Sequence, residues 1–240
     1  MRPKSKNSFF YSARKANIDI IQYICYTFIR EVSMKVLLFN GSPRKNGCTY
    51  TALKEVADTL NAEGIETEIL WLGNGPVREC IGCGGCAGKG KCVFSDDQVN
   101  EFIEKAAAAD GFVFGSPVYY AHPDGRILCV MDRMFYAGGN SFARKPASVV
   151  VSARRAGTTA SLDALTKHLT IAQMPVVSST YWNMVHGKTP EEVQEDKEGL
   201  QTMRNLALNM AWLIKCIKAG EQNGIEKPKT EKKVYTNFIR

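Results

Sequence analysis

A doubly wound α/β fold, a five-stranded parallel sheet with helices on both faces, is what this sequence predicts, and three observations predict it. Short apolar runs alternate with segments of helical apolar period across short connections. The run Gly111–Gly115 is short and apolar, as a strand buried on both faces is. The first run passes straight into a turn rich in Gly, Ser, Asn and Thr that opens a helix, so the fold begins by building a cradle suited to phosphate.

Strand one is 35–39, and the first helix runs from Tyr50 to Ala62 with Leu53, Val56, Ala57 and Leu60 on one face. Gly64 ends it. Strand two is Glu66–Leu72. The stretch Gly73–Cys92 has no periodicity and reads as a functional loop or an insertion. Ser95-Asp96-Asp97-Gln98 reads as a capping box for a helix reaching Ala109. After strand three, a helix following Pro123 carries Ile127, Val130, Met131 and Met134. Strand four is Ala147–Ser152, the next helix runs from Thr159 to Ile171, and strand five is Pro175–Thr180. In the last helix Met203, Leu206, Ala207, Met210, Leu213, Ile214 and Ile217 form an apolar stripe made to lie on a sheet or a partner.

The chain has 240 residues, 45% hydrophobic and 23% charged, with a formal charge of +7. That composition is ordinary for a globular protein. The charge sits mainly at the ends: six Lys/Arg against two acids within 1–33, and five against three within 221–240. No basic stripe crosses the folded part, which argues against nucleic acid as a partner. Three regions follow: an N-terminal extension over 1–33 that precedes the native start at Met34, a domain over 34–220, and a basic, solvated tail over 221–240. The apolar run Ile18–Ile29 contains Asp19, Gln22 and Thr27 and falls short of the roughly 20 residues that span a bilayer. No small-residue cleavage site accompanies it, so neither a membrane span nor a secretory signal is expected. Eight Cys, four of them within thirteen residues, suit metal ligation in a reducing, cytoplasmic compartment better than cross-linking.

Open parallel sheets bind ligands outside the carboxyl ends of their strands, and three loops fall on that rim. The first, Gly41-Ser42-Pro43-Arg44-Lys45-Asn46-Gly47-Cys48-Thr49, is neither a Walker loop nor G-x-G-x-x-G. It favours a monophosphate over ATP or a dinucleotide. The second, Ser116-Pro117-Val118-Tyr119-Tyr120, is apolar and aromatic and suits a flat ring. The third, Ser152–Thr158, brings Arg154 and Arg155 to an anionic or electron-rich edge. The bland alternatives are a tight strand-to-helix turn, ordinary packing of Tyr119 and Tyr120, and a solvated Arg pair.

A second constellation is Cys80-x2-Cys83-x2-Cys86-x5-Cys92, interspersed with glycines. Four thiolates on a Gly-rich loop can wrap an iron-sulfur cluster or a tetrahedral zinc, or stay reduced without metal at a subunit interface. The three histidines are too dispersed for a metal site: His168 reads as structural and His122 as rim packing. Asp132 and Arg133 read as an ion pair, and Tyr181-Trp182-Asn183-Met184 as packing at the core edge or a cover for a ligand or partner. Cys25, Cys129 and Cys216 read as small hydrophobes.

Together these stretches resemble the flavodoxin-like, NAD(P)H-dependent FMN reductase superfamily, in particular its iron-sulfur flavoprotein branch. The resemblance is carried by Gly41–Thr49, Gly115–Tyr120 and Cys80–Asp97 and spans about Met34 to Gly220. It implies a flavodoxin-like fold and an FMN phosphate held by Ser42, Arg44, Asn46, Cys48 and Thr49. Cys48 stands where the family often has Asn. The resemblance further implies a ring held by Pro117, Val118, Tyr119 and Tyr120, with Ser152, Arg154 and Gly157 approaching it. It assigns Cys80, Cys83, Cys86 and Cys92 to a [4Fe–4S] cluster. The implied activity passes electrons from NAD(P)H or a protein donor through FMN to a small-molecule or protein acceptor, in a homo-dimer or homo-tetramer, with no side-chain nucleophile or acid. The rival readings are a flavodoxin-type carrier without NAD(P)H turnover and a zinc-stabilised interaction module.

Overall fold

Lys35–Asn40 forms β1, and Val36, Leu37, Leu38 and Phe39 within it are at most 1% exposed. Side chains alternate across a strand, so Leu37 and Phe39 enter one core while Val36 and Leu38 enter another. That double burial explains the unbroken apolar run. The computed structural model describes residues 33–232, 234–236 and 238. Apart from Ser33, the expected N-terminal extension lies outside these, with Cys25 and the run Ile18–Ile29.

Beside β1 lie β2 (Glu66–Trp71) and β3 (Gly111–Tyr119), followed by β5 (Ala147–Ala153) and β6 (Met184–His186). These five strands are parallel in the order β2-β1-β3-β5-β6, and β4 (His122–Pro123) turns back antiparallel on the end of β3. The chain order reverses between β1 and β3, and there the crevice of such sheets opens.

The helices α1 (Cys48–Ala62) and α6 (Lys197–Gln222) cover one face, meeting Val36, Leu38, Val113 and Val150. On the other face α2 (Val99–Ala108), α3 (Gly125–Gly138) and α4 (Thr158–Ile171) enclose Phe39, Phe112 and Phe114. Phe39 stacks on Phe114 with ring centroids 4.9 Å apart. The apolar stripe of α6 therefore lies on the chain's own sheet, while Leu208 and Trp212 face outward. No helix among the described residues is long and apolar enough to cross a membrane.

Several local expectations are corrected. The fifth strand is Met184–His186, not Pro175–Thr180. Val176 makes one bridge to Ala147, after which α6 draws the segment off the edge: Asn209 Nδ2 donates to Ser178 O, and Ser179 Oγ to Thr202 O. The second helix starts at Val99, and Asp97, not Ser95, accepts from its first turn, at 3.1 Å from Val99 N. Asp132 and Arg133 do not pair. Successive helical residues point in different directions, and Asp132 instead accepts from His168 Nε2 at 2.8 Å. A short α5 (Pro190–Glu195) precedes α6, and Cys216 is exposed rather than buried. Of the stretch Tyr181–Met184, Tyr181 and Trp182 are exposed and packed edge to face on each other, while Asn183 and Met184 are buried as core-edge packing requires.

Candidate functional site

The first rim loop is organised from beneath by Asn40, the buried last residue of β1. Its Oδ1 accepts from Ser42 N at 3.1 Å and its Nδ2 donates to Lys45 O at 2.9 Å. Arg44 N donates to Ser42 Oγ at 3.2 Å, and Trp71 Nε1 donates to Ser42 O at 2.8 Å. Gly41 N reaches Gly115 O of β3 at 2.8 Å, and a Cβ at Gly41 would lie 2.9 Å from that oxygen. Only glycine allows this approach.

Helix α1 begins with Gly47 as N-cap, so no side chain caps it, and its first turn carries no acid. The first helical bond runs from Thr51 N to Gly47 O, at 3.0 Å. The N–H groups of Cys48, Thr49 and Tyr50 precede it and have no helical acceptor. They form a partial positive pole that suits an anion, with Arg44, Lys45 and Asn46 exposed around it. The Cys48 thiol faces Gly187 O at 3.6 Å, and burial pushes it up from the ordinary thiol range. Cys48 therefore offers an anion its backbone N–H rather than its side chain.

The expected second loop is the end of β3 and a hairpin. Tyr120 and Ala121 occupy the left-handed region, with φ of 49° and 60°, and β4 returns beside β3. Such backbone costs roughly 1 kcal/mol or more per non-glycine residue and gathers at functional sites. Ser116 Oγ accepts from Asp124 N at 2.9 Å, which holds the hairpin closed, while Asp124 Oδ1 caps α3 by accepting from Arg126 N at 2.7 Å. Tyr119 is half exposed and Tyr120 fully exposed.

The third loop ties the other two together. Ser152 Oγ lies 2.8 Å from Thr49 Oγ1, both residues buried. Gly157 has φ 93°, and a Cβ there would stand 2.5 Å from Ala121 Cα and 2.8 Å from Val118 Cγ1. Arg154 and Arg155 are exposed, and Arg155 O faces His186 Nε2 at 3.1 Å. Hence Ser42 and Thr49, Val118, Ser152 and Gly157 belong to one rim. Sequence reasoning placed Asn40 in the turn without giving it a role, weighed His186 only as a metal ligand, and missed Arg126. Arg126 reaches Gly75 O and, at 3.4 Å, Asn74 O, and its buried Nε has no partner. A polar residue closing an apolar strand was the available signal for Asn40.

The four cysteines of the second constellation line a single cavity of about 110 Å³ with Ile81, Phe94, Arg133 and Tyr136. Gly82, Gly84, Gly88 and Gly90 all have φ between 62° and 70°, the freedom that turns this irregular loop back on itself. Two helices clamp it. From α2, Asn100 accepts from Cys92 N at 2.8 Å and donates to Cys92 O at 3.1 Å and Phe94 O at 3.0 Å. From α3, Arg133 is 1% exposed and its guanidinium pairs with Asp97 and donates to Cys92 Sγ at 3.4 Å.

Among the described residues no group of three or more Cys, His, Asp or Glu is arranged to hold a metal ion. Four cysteines around one cavity are nonetheless the donor set that an iron-sulfur cluster takes, and equally the set that a tetrahedral zinc takes.

Residues 34–189 match the family described as NADPH-dependent FMN reductase. The chain is 34% identical to an iron-sulfur flavoprotein of Methanocaldococcus jannaschii, over 77% of this chain and 100% of that protein. In fold it is similar to RosB, solved with a bound 8-demethyl-8-formylriboflavin-5′-phosphate, at a TM-score of 0.60 and 15% identity over 87% of this chain and 93% of that one. It is also similar to a flavodoxin from the domain Archaea, at a TM-score of 0.52 and 10% identity over 76% of this chain and 99% of that one. The fold is flavodoxin-like.

Proposed function

From membership in the NADPH-dependent FMN reductase family, to which this chain belongs, we propose an FMN-dependent oxidoreductase that draws on NAD(P)H and carries an iron-sulfur cluster. The observation that carries this reading is the convergence of three rim loops over the uncapped start of α1. Bound FMN supplies hydride acceptance, and a [4Fe–4S] cluster on the four cysteines supplies single-electron relay toward an acceptor.

The chain's own part is position and electrostatics. The N–H groups at the head of α1, with Ser42, Arg44, Asn46 and Thr49, hold the phosphate by hydrogen bonds and charge. The hairpin Pro117–Tyr120 offers the ring an apolar bed with Tyr119 and Tyr120 at its lip. Ser152 fixes Thr49, and Gly157 lets the third loop, which carries Arg154, pack against Ala121 and Val118 of the hairpin without a side chain in the way. Cys80, Cys83, Cys86 and Cys92 hold the cluster, with Asn100 and Arg133 fixing Cys92.

Absorption spectroscopy with iron and zinc analysis on protein purified without oxygen tests the cofactors. Flavin bands over a broad iron-sulfur background, with about four irons per chain, are expected. Stoichiometric zinc in a colourless protein would overturn the reading. Steady-state oxidation of NADH and NADPH with a quinone or dye acceptor tests the reaction, and negligible turnover with FMN bound would make the protein a carrier.

A further inference from the structure

Arg133 is the largest fully buried side chain among the described residues, and the fold places its charge against a cysteine. It lies on α3 beneath the Cys loop, 41 residues from Cys92 in sequence. Burying a guanidinium is costly unless every donor finds a partner. Here Nε donates to Cys92 Sγ at 3.4 Å, and one terminal nitrogen donates to Arg78 O at 3.3 Å and pairs with Asp97 Oδ2. The other donates to Phe94 O at 3.3 Å and to Asp97 Oδ1 at 3.2 Å. Asp97 is 17% exposed in its side chain and takes both terminal nitrogens in a fork.

This geometry does two things. The carbonyls of Arg78 and Phe94 flank the Cys80–Cys92 segment, so the fork sets the two ends of the loop relative to α3. The Nε–H left over is aimed at one cysteine sulfur alone. A structural arginine requires only the carbonyls and the carboxylate. The donation to sulfur places a fixed positive charge at the wall of the cavity that all four thiols line.

We propose that Arg133 is a positioning residue that sets the reduction potential of the cluster, with Asp97 as its counterweight. The inference rests on the cluster reading above. A cation donating to a ligating thiolate favours the state holding one more electron, because that state carries more negative charge on its sulfurs. Removing the cation therefore lowers the potential. Removing the carboxylate leaves the cation uncompensated and raises it. A purely structural pair would move the potential in the same direction whichever member is changed, or not at all.

The test is a redox titration of wild type, Arg133→Met, Arg133→Lys and Asp97→Asn, each purified anaerobically and followed by electron paramagnetic resonance. Bound FMN is read separately by its visible bands. At the wild-type midpoint, R133M is expected to hold about tenfold less reduced over oxidised cluster, a shift of about 59 mV for a one-electron couple. D97N is expected to shift the opposite way, and R133K to lie between R133M and wild type. Where R133M does not retain iron, D97N decides, because it keeps the cation and the loop's backbone contacts. Midpoints in D97N and R133K within error of wild type would overturn the inference while leaving the cluster reading intact. Wild-type protein without about four irons and their sulfide, read by iron and sulfide analysis, would overturn the cluster reading and this inference with it.

Discussion

The three-loop rim and the Cys loop keep their shapes in opposite ways. At the rim the loops are continuations of the parallel sheet and hold one another: Gly41 N bonds to Gly115 O, Thr49 to Ser152, and Gly157 packs on Ala121. Their shape is set by backbone and short hydroxyls. The Cys loop has no strand or helix of its own and hangs from two long side chains, Asn100 and Arg133. Backbone N–H groups and short hydroxyls carried by a sheet suit a phosphate ester, whereas four cysteines on a loop pinned by side chains suit a ligated group.

The two regions should therefore fail independently, and the largest effect should come from the rim. Replacing Gly157 with Ala puts a Cβ 2.5 Å from the Ala121 backbone at φ 93°. That should cost about 3 kcal/mol, because both conformation and space are wrong. Denaturation by urea reads the stability, and FMN affinity, read by quenching of flavin fluorescence, should fall by at least about tenfold. Iron content should stay at the wild-type level, and an equal loss of iron would show that the regions are one unit.

Asn100→Ala is the converse change. It removes three hydrogen bonds that close the Cys loop on α2. At about 0.5–1.5 kcal/mol each, the loss is about 2 kcal/mol. Iron should leave the variant faster on exposure to a chelator, while FMN affinity is unchanged. A fall in FMN affinity equal to that in Gly157→Ala would break the separation.

The same contrast governs what the sequence makes legible. Val36–Phe39 and Phe112–Phe114 announce a two-sided sheet because burial on both faces leaves no polar alternation. Ser42, Thr49 and Ser152 are readable because Gly and hydroxyl residues at the ends of such strands have a short-range reason to be there. Asn100 and Arg133 are not: Arg133 meets partners 36 to 55 residues away, Asn100 meets an irregular loop six to eight residues back, and nothing local distinguishes either from other helical polar residues. The hairpin turn was hidden by Tyr120 and Ala121, neither of which advertises a positive φ. Pro175–Thr180 is a better strand by composition than Met184–His186, but Asn205 and Asn209 on α6 hold Thr180 and Ser178 away from the edge.

Within the rim, Thr49→Val probes a single link. It removes the hydroxyl that meets Ser152 Oγ at 2.8 Å while keeping shape and burial. About 1 kcal/mol should be lost, and FMN affinity should fall about fivefold. The iron-sulfur spectrum should not change. An unaltered FMN affinity would mean that the phosphate is held by the head of α1 alone.

The smallest effect is a control on all of these, since a site-specific loss must be told from a general one. Lys145 lies away from both regions and donates to Ala106 O at 2.8 Å and Ala107 O at 3.0 Å, at the end of α2. Burial pulls its ammonium down from 10.5 to about 8. Between those values the unfolded chain keeps a proton that the folded protein has released, so raising the pH through this window favours folding. The gain should stay under about 1 kcal/mol, because the group is half solvated and its carbonyl partners favour the charged form. The Cys48 and Cys129 thiols, pushed up by burial, work in the opposite sense once the unfolded thiols ionise near pH 9. The prediction is therefore carried by the difference between wild type and Lys145→Met: the variant should lack the rising contribution between pH 8 and 10.5 in urea unfolding. Its FMN affinity and iron content at pH 7 should match wild type. A variant that lost both would show that each site follows global stability, and the independence of rim and Cys loop would fall.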